Sequence, residues 1–439
     1  MLKRKAYYKL LEWKNNKEKK CLVVKGARQI GKTYIIKQFG RENYKRFVYI
    51  NFLEEPEYKD IFAKSLAAKD IYTAISLKMG ADKLVKGDTL IFLDEIQACP
   101  NARTALKFLS IDKSYDVIAS GSLLGISYKG ITSIPVGYEE YLDMHSLDFE
   151  EFLWACGVSS ETIGEVKQYF DNKQKVDDSI NNIMFDYLRQ YIVVGGMPEV
   201  VNTFITTKNY GKVHQVQMSI LTSYQNDIML YAETYEKPKI TNCYISIPNQ
   251  LSKENKKFQF SVVEKGATSR KFGNSVDWMR DANLVNFCVN VTSPEFPLAV
   301  YERYNFYKLY VSDIGLLVAM YGFETKDAII YNKLQGNAKG GIYENLMADI
   351  LVKKNYKLRY YKSDNSSMEI EFLINDGMDI IPIEVKAGNE RSLSLNLYID
   401  KFKPKYAYKF VTGNVGISES KITLPLYMAM FLPNKLFEE

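Results

Sequence analysis

The stretch CLVVKGARQIGKT, residues 21–33, joins an apolar run to a glycine-rich segment that ends in Lys32 and Thr33. Residues 26–33 fit the pattern G-x-x-x-x-G-K-[ST], whose glycines let the backbone curl so that successive N–H groups face a phosphate. Lys32 is expected to reach the β- and γ-phosphates of ATP, and the Thr33 hydroxyl is expected to bind Mg²⁺. The following helix, TYIIKQF, would direct its N-terminal dipole at the same anion. The residues predicted to contact the nucleotide are Gly26, Ala27, Arg28, Gln29, Ile30, Gly31, Lys32 and Thr33.

A second motif, TLIFLDE at residues 89–95, is an apolar strand that ends in two carboxylates. Carboxylates at the end of a buried strand are costly unless they face a cation or an open site. Asp94 is placed to hold Mg²⁺ through water, and Glu95 is placed to orient or deprotonate the attacking water. Alone this run is a weak signal, but the phosphate-binding pattern upstream makes it a specific one.

A third strand ends in Ser120-Gly121-Ser122. One of its hydroxyls could touch the γ-phosphate or the lytic water, and Ser122 is counted among the nucleotide-binding candidates. A strand-end cap or turn explains these residues equally well.

The fold of the first part follows from its apolar runs, which are CLVVKG (21–26), FVYINF (47–52), TLIFLDE (89–95) and DVIASGS (116–122). Each run is apolar on both faces, as expected for strands of a parallel sheet that is covered on both sides. Residues 32–39 and 102–109 are predicted helices between the strands. The alternation predicts an α/β fold, a P-loop NTPase domain with a doubly wound parallel sheet.

The predicted secondary structure changes after this domain. From about residue 148 the chain is predicted to be mainly helical, residues 237–325 mix helices with hairpin strands in the manner of a winged helix, and the last hundred residues alternate a helix with strands. We therefore expect a P-loop ATPase domain at 1–147, a helical lid region at 148–236, a winged-helix-like domain at 237–325 and an α/β domain at 326–439. A chain of 439 residues is long enough for several domains.

The composition excludes some classes of protein. Five unclustered cysteines argue against a disulfide framework or a zinc site, and they fit a reducing cytoplasm. The basic N-terminus has no apolar core, so no signal peptide is expected, and no window is apolar enough to span a membrane. The net charge of +6 permits a nucleic-acid partner without demanding one.

A second constellation lies near the C-terminus. In IIPIEVKAG, residues 380–388, alternation along a strand places Glu384 and Lys386 on the same face. The turn Asn375-Asp376-Gly377 predicts a hairpin that brings Glu369 or Glu371 alongside Glu384. Two carboxylates and a lysine on neighbouring strands can bind Mg²⁺ and orient a water against a phosphodiester. Glu344, on the helix upstream, could be a further metal ligand.

The segments GARQIGKT, FLDEIQ, ASGS, DFEEFLWACG and YIVVGGMPEVV together resemble the AAA-14 group of AAA-like ATPases, over nearly the whole chain. The resemblance implies a P-loop domain, a helical lid, a winged helix and a C-terminal domain of long-unassigned function. It also implies that Gly195, Gly196 and Pro198 form a loop near the nucleotide base. The group commonly shows Pro-Val-Gly-Arg after the third strand, where this chain has residues 135–138 ending in Tyr138. If that arginine contacts the γ-phosphate, Tyr138 cannot supply its charge, so fast hydrolysis would need Arg28 or a neighbouring subunit to compensate, whereas ATP binding would not be affected.

The C-terminal domain of this group is similar to the PD-(D/E)XK nuclease superfamily, with a restriction-endonuclease-like α/β fold. That resemblance implies Glu371 at the first acidic position, Glu384 and Lys386 as E-x-K, and Glu344 as the helical glutamate, with Glu371 in place of the usual aspartate. Three interpretations remain open: an active metal nuclease, a degenerate fold that binds nucleic acid or protein, and a plain charged strand face.

The leading hypothesis is a Mg-dependent ATPase whose nucleotide state controls this nuclease-like, nucleic-acid-associated domain. The alternative is a slow ATP-dependent switch that binds a protein or DNA partner without cutting. A regulator in a toxin–antitoxin or defence system is a third hypothesis. The sequence leaves the oligomeric state open.

Overall fold

A computed structural model describes residues 2–121, 137–363, 368–388 and 392–435 of the chain. The candidate Ser122 and two of the four residues at 135–138 lie outside these ranges. The chain divides into two compact units, residues 3–146 and residues 147–439. No helix in the described ranges has the length and apolar character needed to cross a membrane.

The first unit is an α/β layer structure around one parallel sheet. Its elements are α1 (Lys5–Asn15), β1 (Cys21–Lys25), α2 (Lys32–Asn43), β2 (Arg46–Asn51), α3 (Ala68–Met79), β3 (Thr89–Asp94), α4 (Pro100–Asp112), β4 (Asp116–Ser120) and β5 (Glu139–Asp143). The strands lie in the order β2-β3-β4-β1-β5, and every neighbouring pair is parallel. All six residues of β3 are buried, as its unbroken apolar sequence predicts. The predicted parallel α/β sheet is confirmed.

The strand β5 could not be recognised from apolar character, because its sequence is EEYLD. It completes the sheet beside β1, and its first residue, Glu139, is buried. The buried guanidinium of Arg103 in α4 binds the Glu139 carboxylate with two nitrogens. A bidentate partner offsets the cost of removing the carboxylate from water, so a polar sequence is accepted at this position.

The second unit contains twelve α-helices and nine strands in its described ranges. The helices are α5 (Phe149–Ala155), α6 (Ser160–Asp171), α7 (Asp178–Val194), α8 (Pro198–Thr207), α9 (Tyr210–Tyr231), α10 (Lys237–Leu251), α11 (Phe260–Val263), α12 (Ser269–Asp281), α13 (Ile314–Met320), α14 (Phe323–Ile330), α15 (Gly336–Lys353) and α16 (Leu393–Phe402). The strands are β6 (Val285–Val291), β7 (Glu302–Val311), β8 (Arg359–Lys362), β9 (Glu369–Ile370), β10 (Phe372–Asp376), β11 (Asp379–Val385), β12 (Ala407–Val411), β13 (Gly416–Ser418) and β14 (Lys421–Pro425).

These strands form two sheets. One has the order β10-β11-β12-β14-β13, and it contains the hairpin that the Asn375-Asp376-Gly377 turn predicts, with Asp376 paired to Asp379. The other has the order β7-β6-β8-β9. In it the β6–β7 hairpin from the predicted winged-helix region lies parallel to β8 from the predicted C-terminal domain. One sheet thus draws strands from both sides of the border placed at residues 325 and 326. The four-way division, the winged helix and the nuclease-like fold stay predictions.

Candidate nucleotide site and C-terminal carboxylate cluster

The glycine-rich loop between β1 and α2 has the backbone that its pattern predicts. Gly26 and Gly31 have φ of 142° and 90°, and Gln29 has φ of 66°. A Cβ on Gly26 would lie 2.1 Å from the carbonyl oxygen of Met144, so no larger residue fits there. The helix α2 begins at Lys32, directly after Gly31, and its free N–H groups therefore open onto the loop. Within the loop Ala27 and Ile30 are buried, Arg28 is half-buried and Gln29 is exposed.

Lys32 is folded over this loop. Its ammonium donates to the carbonyl oxygens of Gly26 and Ala27 at 2.9 and 2.6 Å. Burial lowers the pKa of Lys32 to about 8, although the nearby carboxylates of Glu95 and Asp94 favour the charged form. The ammonium is therefore mostly protonated at neutral pH. A bound polyphosphate would raise the pKa of Lys32, because its negative charge favours the protonated form.

Asp94 is the centre of the polar contacts at the end of β3. Its Oδ2 accepts from the hydroxyl of Thr33 at 2.8 Å and from that of Tyr49 at 3.2 Å. Its Oδ1 accepts from the hydroxyl of Ser120 and from the backbone N–H of Glu95 at 3.1 Å. A carboxylate and a threonine hydroxyl at hydrogen-bond distance form an all-oxygen donor set, which suits Mg²⁺. The predicted pairing of the two motifs is thus present in the geometry.

Glu95 leaves the strand in a left-handed conformation, with φ of 52°. Its carboxylate accepts a hydrogen bond from the side-chain amide of Gln97. Burial raises the pKa of Glu95, and the neighbouring Asp94 raises it further. A raised pKa brings a carboxylate nearer to the range in which it can accept a proton from water.

Two residues outside the sequence motifs, Tyr49 and Asn51, also belong to this group of polar contacts. Tyr49 reaches Asp94 from β2, and the Asn51 side chain donates to the Tyr49 hydroxyl at 3.0 Å. Both residues lie at the carboxyl end of β2, where parallel strands direct side chains toward a common site. Their polar atoms in an otherwise apolar strand were the available signal. The hydroxyl of Ser120, at the end of β4, donates to Asp94.

Tyr138 lies away from the phosphate-binding loop. The register of β1 with β5 pairs Cys21 with Glu139 and Lys25 with Asp143. Tyr138 therefore precedes the start of β5, whereas the loop follows the end of β1, about 13 Å away along the strands. The Tyr138 ring lies 5.3 Å from the ammonium of Lys107 instead. Within one chain, the register therefore places position 138 at the end of the strands opposite to the loop, and the effect of Tyr138 on hydrolysis stays a prediction.

In the second unit, Gly195 and Gly196 form a tight loop before Pro198 begins α8. A Cβ on Gly196 would lie 2.0 Å from the carbonyl oxygen of Leu147. The Gly196 N–H donates to Asp313 Oδ2 at 2.8 Å, and its carbonyl accepts from the Leu147 N–H at 2.7 Å. The loop is thus held rigidly from both sides. The role of Pro198 at the nucleotide stays a prediction.

The C-terminal carboxylates fall into two groups. Glu344 in α15 is 3% exposed, and its oxygens accept from the ammonium of Lys308 at 2.7 Å and from the hydroxyl of Tyr310 at 2.6 Å, with Lys256 at 3.1 Å. Burial alone would raise its pKa, but Lys256, Lys308 and the hydrogen bonds outweigh it and lower the pKa to about 2. Lys308 also binds Glu369 at 2.8 Å. Glu344 therefore has its charge satisfied by protein groups, and its role as a metal ligand stays a prediction.

The second group is Glu371, Glu384 and Lys386. The Lys386 ammonium lies 3.6 Å from Glu371 and 3.3 Å from Glu384, so the three side chains converge as the strand alternation predicts. One oxygen of each carboxylate is buried without a hydrogen-bond partner. Burial raises the pKa of Glu371 to about 7. The charge of Lys386 lowers this pKa only in part, and repulsion from Glu384 raises it further. Two orphaned, buried carboxylate oxygens beside one lysine form a site that a cation would complete.

No group of three or more His, Cys, Asp or Glu side chains suited to a metal ion occurs in the parts of the chain that the structure describes. Glu371 and Glu384 would thus meet a metal as a pair. Mg²⁺ commonly keeps several waters and takes only one or two carboxylates together with substrate phosphates. The donor set of this pair therefore fits Mg²⁺.

Comparison with known proteins identifies three segments. Residues 18–153 match a family model described as an AAA domain. Residues 185–327 and 339–429 match two models described as domains of unknown function, DUF8612 and DUF4143. The N-terminal part of the chain is therefore an AAA-type P-loop ATPase domain, and the predicted resemblance is confirmed for that part. No curated protein matches the chain.

Several solved structures share parts of the fold at low similarity. The Walker-type ATPase PABY2304 of Pyrococcus abyssi has a TM-score of 0.42 and 12% identity, over 73% of this chain and 96% of that chain. The Aeropyrum pernix ORC1 protein in complex with DNA has a TM-score of 0.33 and 11% identity, over 76% of this chain and 95% of that chain. AMPPCP-bound DnaA from Aquifex aeolicus has a TM-score of 0.28 and 12% identity, over 63% of this chain and 88% of that chain.

Proposed function

We propose that this AAA-type protein hydrolyses ATP with Mg²⁺ and that Lys32, Thr33, Asp94 and Glu95 carry the reaction. The observation that carries the proposal is the 2.8 Å contact between the Thr33 hydroxyl and Asp94, made next to the glycine-rich loop. Mg²⁺ held by these two residues would neutralise charge on the β- and γ-phosphates.

The protein groups divide the work. Lys32 turns from the loop carbonyls to the phosphates, to which its three donors are better matched. Ser120 and Tyr49 hold the Asp94 carboxylate in one orientation through their hydroxyls. Glu95 accepts the proton of the attacking water, which requires its carboxylate to be ionised. Because burial raises the pKa of Glu95, hydrolysis should fall on acidification before an exposed glutamate would titrate.

The test is steady-state ATP hydrolysis and ATP binding by wild type, Lys32→Ala and Glu95→Gln. Lys32→Ala should lose binding and hydrolysis together. Glu95→Gln should keep binding and lose about 10²- to 10⁴-fold in rate, as expected for a general base. Lys45→Ala, which removes a 77% exposed lysine of the same unit, is the matched control and should behave as wild type. Binding without turnover in wild type would favour the slow switch.

A second proposal concerns the C-terminal group, which we infer to be a Mg²⁺ site that hydrolyses nucleic acid under control of the ATPase domain. It is supported by the two orphaned carboxylate oxygens of Glu371 and Glu384 and by Lys386 between them. The Lys386 ammonium is placed to stabilise negative charge, and the carboxylates are placed to orient a water. The competing proposal is a module that binds a DNA or protein partner without cutting.

Cleavage of labelled DNA and RNA with Mg²⁺, with and without ATP, separates these proposals. Glu384→Gln and Lys386→Met should abolish cleavage and leave ATP hydrolysis intact. Glu419→Gln removes an exposed carboxylate of the same unit and should cleave as wild type. If wild type binds nucleic acid but never cuts it, the non-cutting switch is the better description.

A further inference from the structure

The strand β7 has an irregular segment in its pairing with β6. It is an edge strand of the β7-β6-β8-β9 sheet, and its pairing with β6 jumps from Arg303 opposite Asn290 to Tyr307 opposite Val289. Residues 304–306 thus have no partners in β6, and we call them the 304–306 bulge. Tyr304 and Phe306 are 57% and 40% exposed. The two exposed rings therefore lie two residues apart on an unpaired segment of an edge strand, where a planar ligand can reach them.

Basic side chains lie near these rings, and the Glu302 carboxylate accepts a hydrogen bond from the Tyr304 hydroxyl. The ammonium of Lys257 lies 3.6 Å from the centre of the Phe306 ring, and the guanidinium of Arg303 lies 5.6 Å from it. The Lys357 ammonium lies 5.6 Å from the Tyr304 ring. Lys257 belongs to the basic run KENKK, which a hydrogen bond of 2.8 Å from the Phe258 N–H to the Tyr307 carbonyl ties to the edge strand. The run is therefore fixed beside the rings.

The same elements contact two of the C-terminal carboxylates, Glu344 and Glu369. Lys256, next to Lys257, binds Glu344, and Lys308, two residues after Phe306, binds Glu344 and Glu369. Burial lowers the pKa of Lys257, and the charge of Lys362 lowers it further. Repulsion between neighbouring cations is relieved by a polyanion.

We propose that the 304–306 bulge and Lys257 form a stacking platform for single-stranded nucleic acid in the unit that contains the Glu371–Glu384 pair. Bases would stack on Tyr304 and Phe306, while Lys257 and Arg303 would contact phosphates. The rings require unpaired bases, so a duplex fits less well. An acidic peptide would match the charges but would bring no planar rings. This inference rests on the proposal that nucleic acid is the partner of the C-terminal domain.

The test is fluorescence anisotropy of a labelled 20-nucleotide oligothymidylate with the full chain in EDTA, so that binding is measured without cleavage. The double variant Tyr304→Ala/Phe306→Ala should bind about 100-fold more weakly, since loss of one stacked base costs about tenfold. Tyr304→Phe/Phe306→Tyr should bind as wild type. Lys257→Ala should reduce the slope of log K against log salt by about 0.7.

Tyr331→Ala is the matched control, because Tyr331 is 68% exposed and has the Lys333 ammonium 5.7 Å from its ring, yet lies outside the bulge. All variants should keep the ATP hydrolysis of wild type, which reports an intact first unit, and the circular dichroism and melting temperature of wild type. The proposal is overturned if wild type does not bind the oligonucleotide, if the double alanine variant binds as wild type, or if Tyr331→Ala loses as much. It is also overturned if a duplex of the same length binds as tightly or if polyglutamate competes equally.

These results separate the platform from the cleavage site. Glu384→Gln should bind the oligonucleotide in EDTA as wild type, because the platform does not include it. Absence of cleavage with intact platform binding would contradict the nuclease proposal alone. Cleavage by wild type with unchanged binding by the double alanine variant would contradict the platform alone.

Discussion

Replacing Lys308 by methionine should destabilise the second unit by about 3 kcal/mol at pH 7. Lys308 is 1% exposed and binds Glu344 and Glu369 at 2.7 and 2.8 Å. Breaking a buried ion pair by removing one partner costs about 3–5 kcal/mol, because the other charge stays buried. The lower end applies here, since Glu344 keeps Lys256 and Glu369 keeps Lys362.

The pKa of Glu344 gives the pH dependence of this effect. Burial alone would raise this pKa, but Lys256 and Lys308 outweigh burial and lower it to about 2, below the usual 4.5. A carboxylate with a lowered pKa stabilises the fold above its unfolded pKa, and this contribution is lost as the pH falls through the folded pKa. The difference between wild type and Lys308→Met should therefore be complete at pH 7 and shrink between about pH 4.5 and pH 2.

The measurement is urea unfolding followed by tryptophan fluorescence in a Trp13→Phe background. Of the 3 tryptophans, Trp154 and Trp278 then remain, and both lie in the second unit. Lys167→Met is the matched control, since Lys167 binds Asp171 at 2.6 Å but is 48% exposed. Exposed pairs contribute about 0–1 kcal/mol. A loss for Lys308→Met no larger than that control, or one that persists undiminished at pH 3, would refute the reasoning.

Three further outcomes follow from the geometry. Tyr138→Arg should change the rate of ATP hydrolysis by less than about twofold, because Tyr138 precedes β5 at the end of the strands opposite to the glycine-rich loop. A gain of tenfold or more in the kinetic assay would contradict this. Gly196→Ala should destabilise the second unit by about 3 kcal/mol in urea unfolding, because its Cβ would meet the Leu147 carbonyl at 2.0 Å, whereas Gly164→Ala, in an open helical position, should be neutral or slightly stabilising. Glu371→Gln should stabilise the fold more at pH 8 than at pH 5. Burial raises the pKa of Glu371 to about 7, so the wild-type fold loses stability as the pH rises from about 4.5 through 7 and this carboxyl ionises. The neutral glutamine does not ionise and avoids that loss. Equal effects at both pH values in unfolding curves would show that Glu371 is not strained when ionised.

Local patterns predict most of the proposed nucleotide site. The loop from Gly26 to Thr33 depends on backbone angles that glycine permits and on a helix that begins at Lys32, and both are properties of a short stretch of chain. Asp94 could be assigned because a fully apolar strand that ends in carboxylates has few explanations. Tyr49 was missed, since nothing local shows that the end of β2 lies beside the end of β3.

The C-terminal cluster was predicted only in part. Alternation along β11 places Glu384 and Lys386 together, and the turn at 375–377 brings Glu371 to them. The pairing of Glu344 with Lys308 could not be foreseen, because the two residues lie on different elements, and only packing decides which buried charges meet.

The sequence by itself determined the phosphate-binding loop, the buried strands and the hairpin, because each depends on residues within a few positions of one another. The tertiary structure alone decided the strand order, the position of Tyr138 and the ion pair of Arg103 with Glu139 that allows the polar strand β5 into the sheet. It also decided that Glu344 and Glu369 are paired with lysines, whereas Glu371 and Glu384 each keep a buried oxygen without a hydrogen-bond partner. The physical reason is that backbone conformation and periodicity are local, whereas the cost of a buried charge depends on partners that the chain brings from far away.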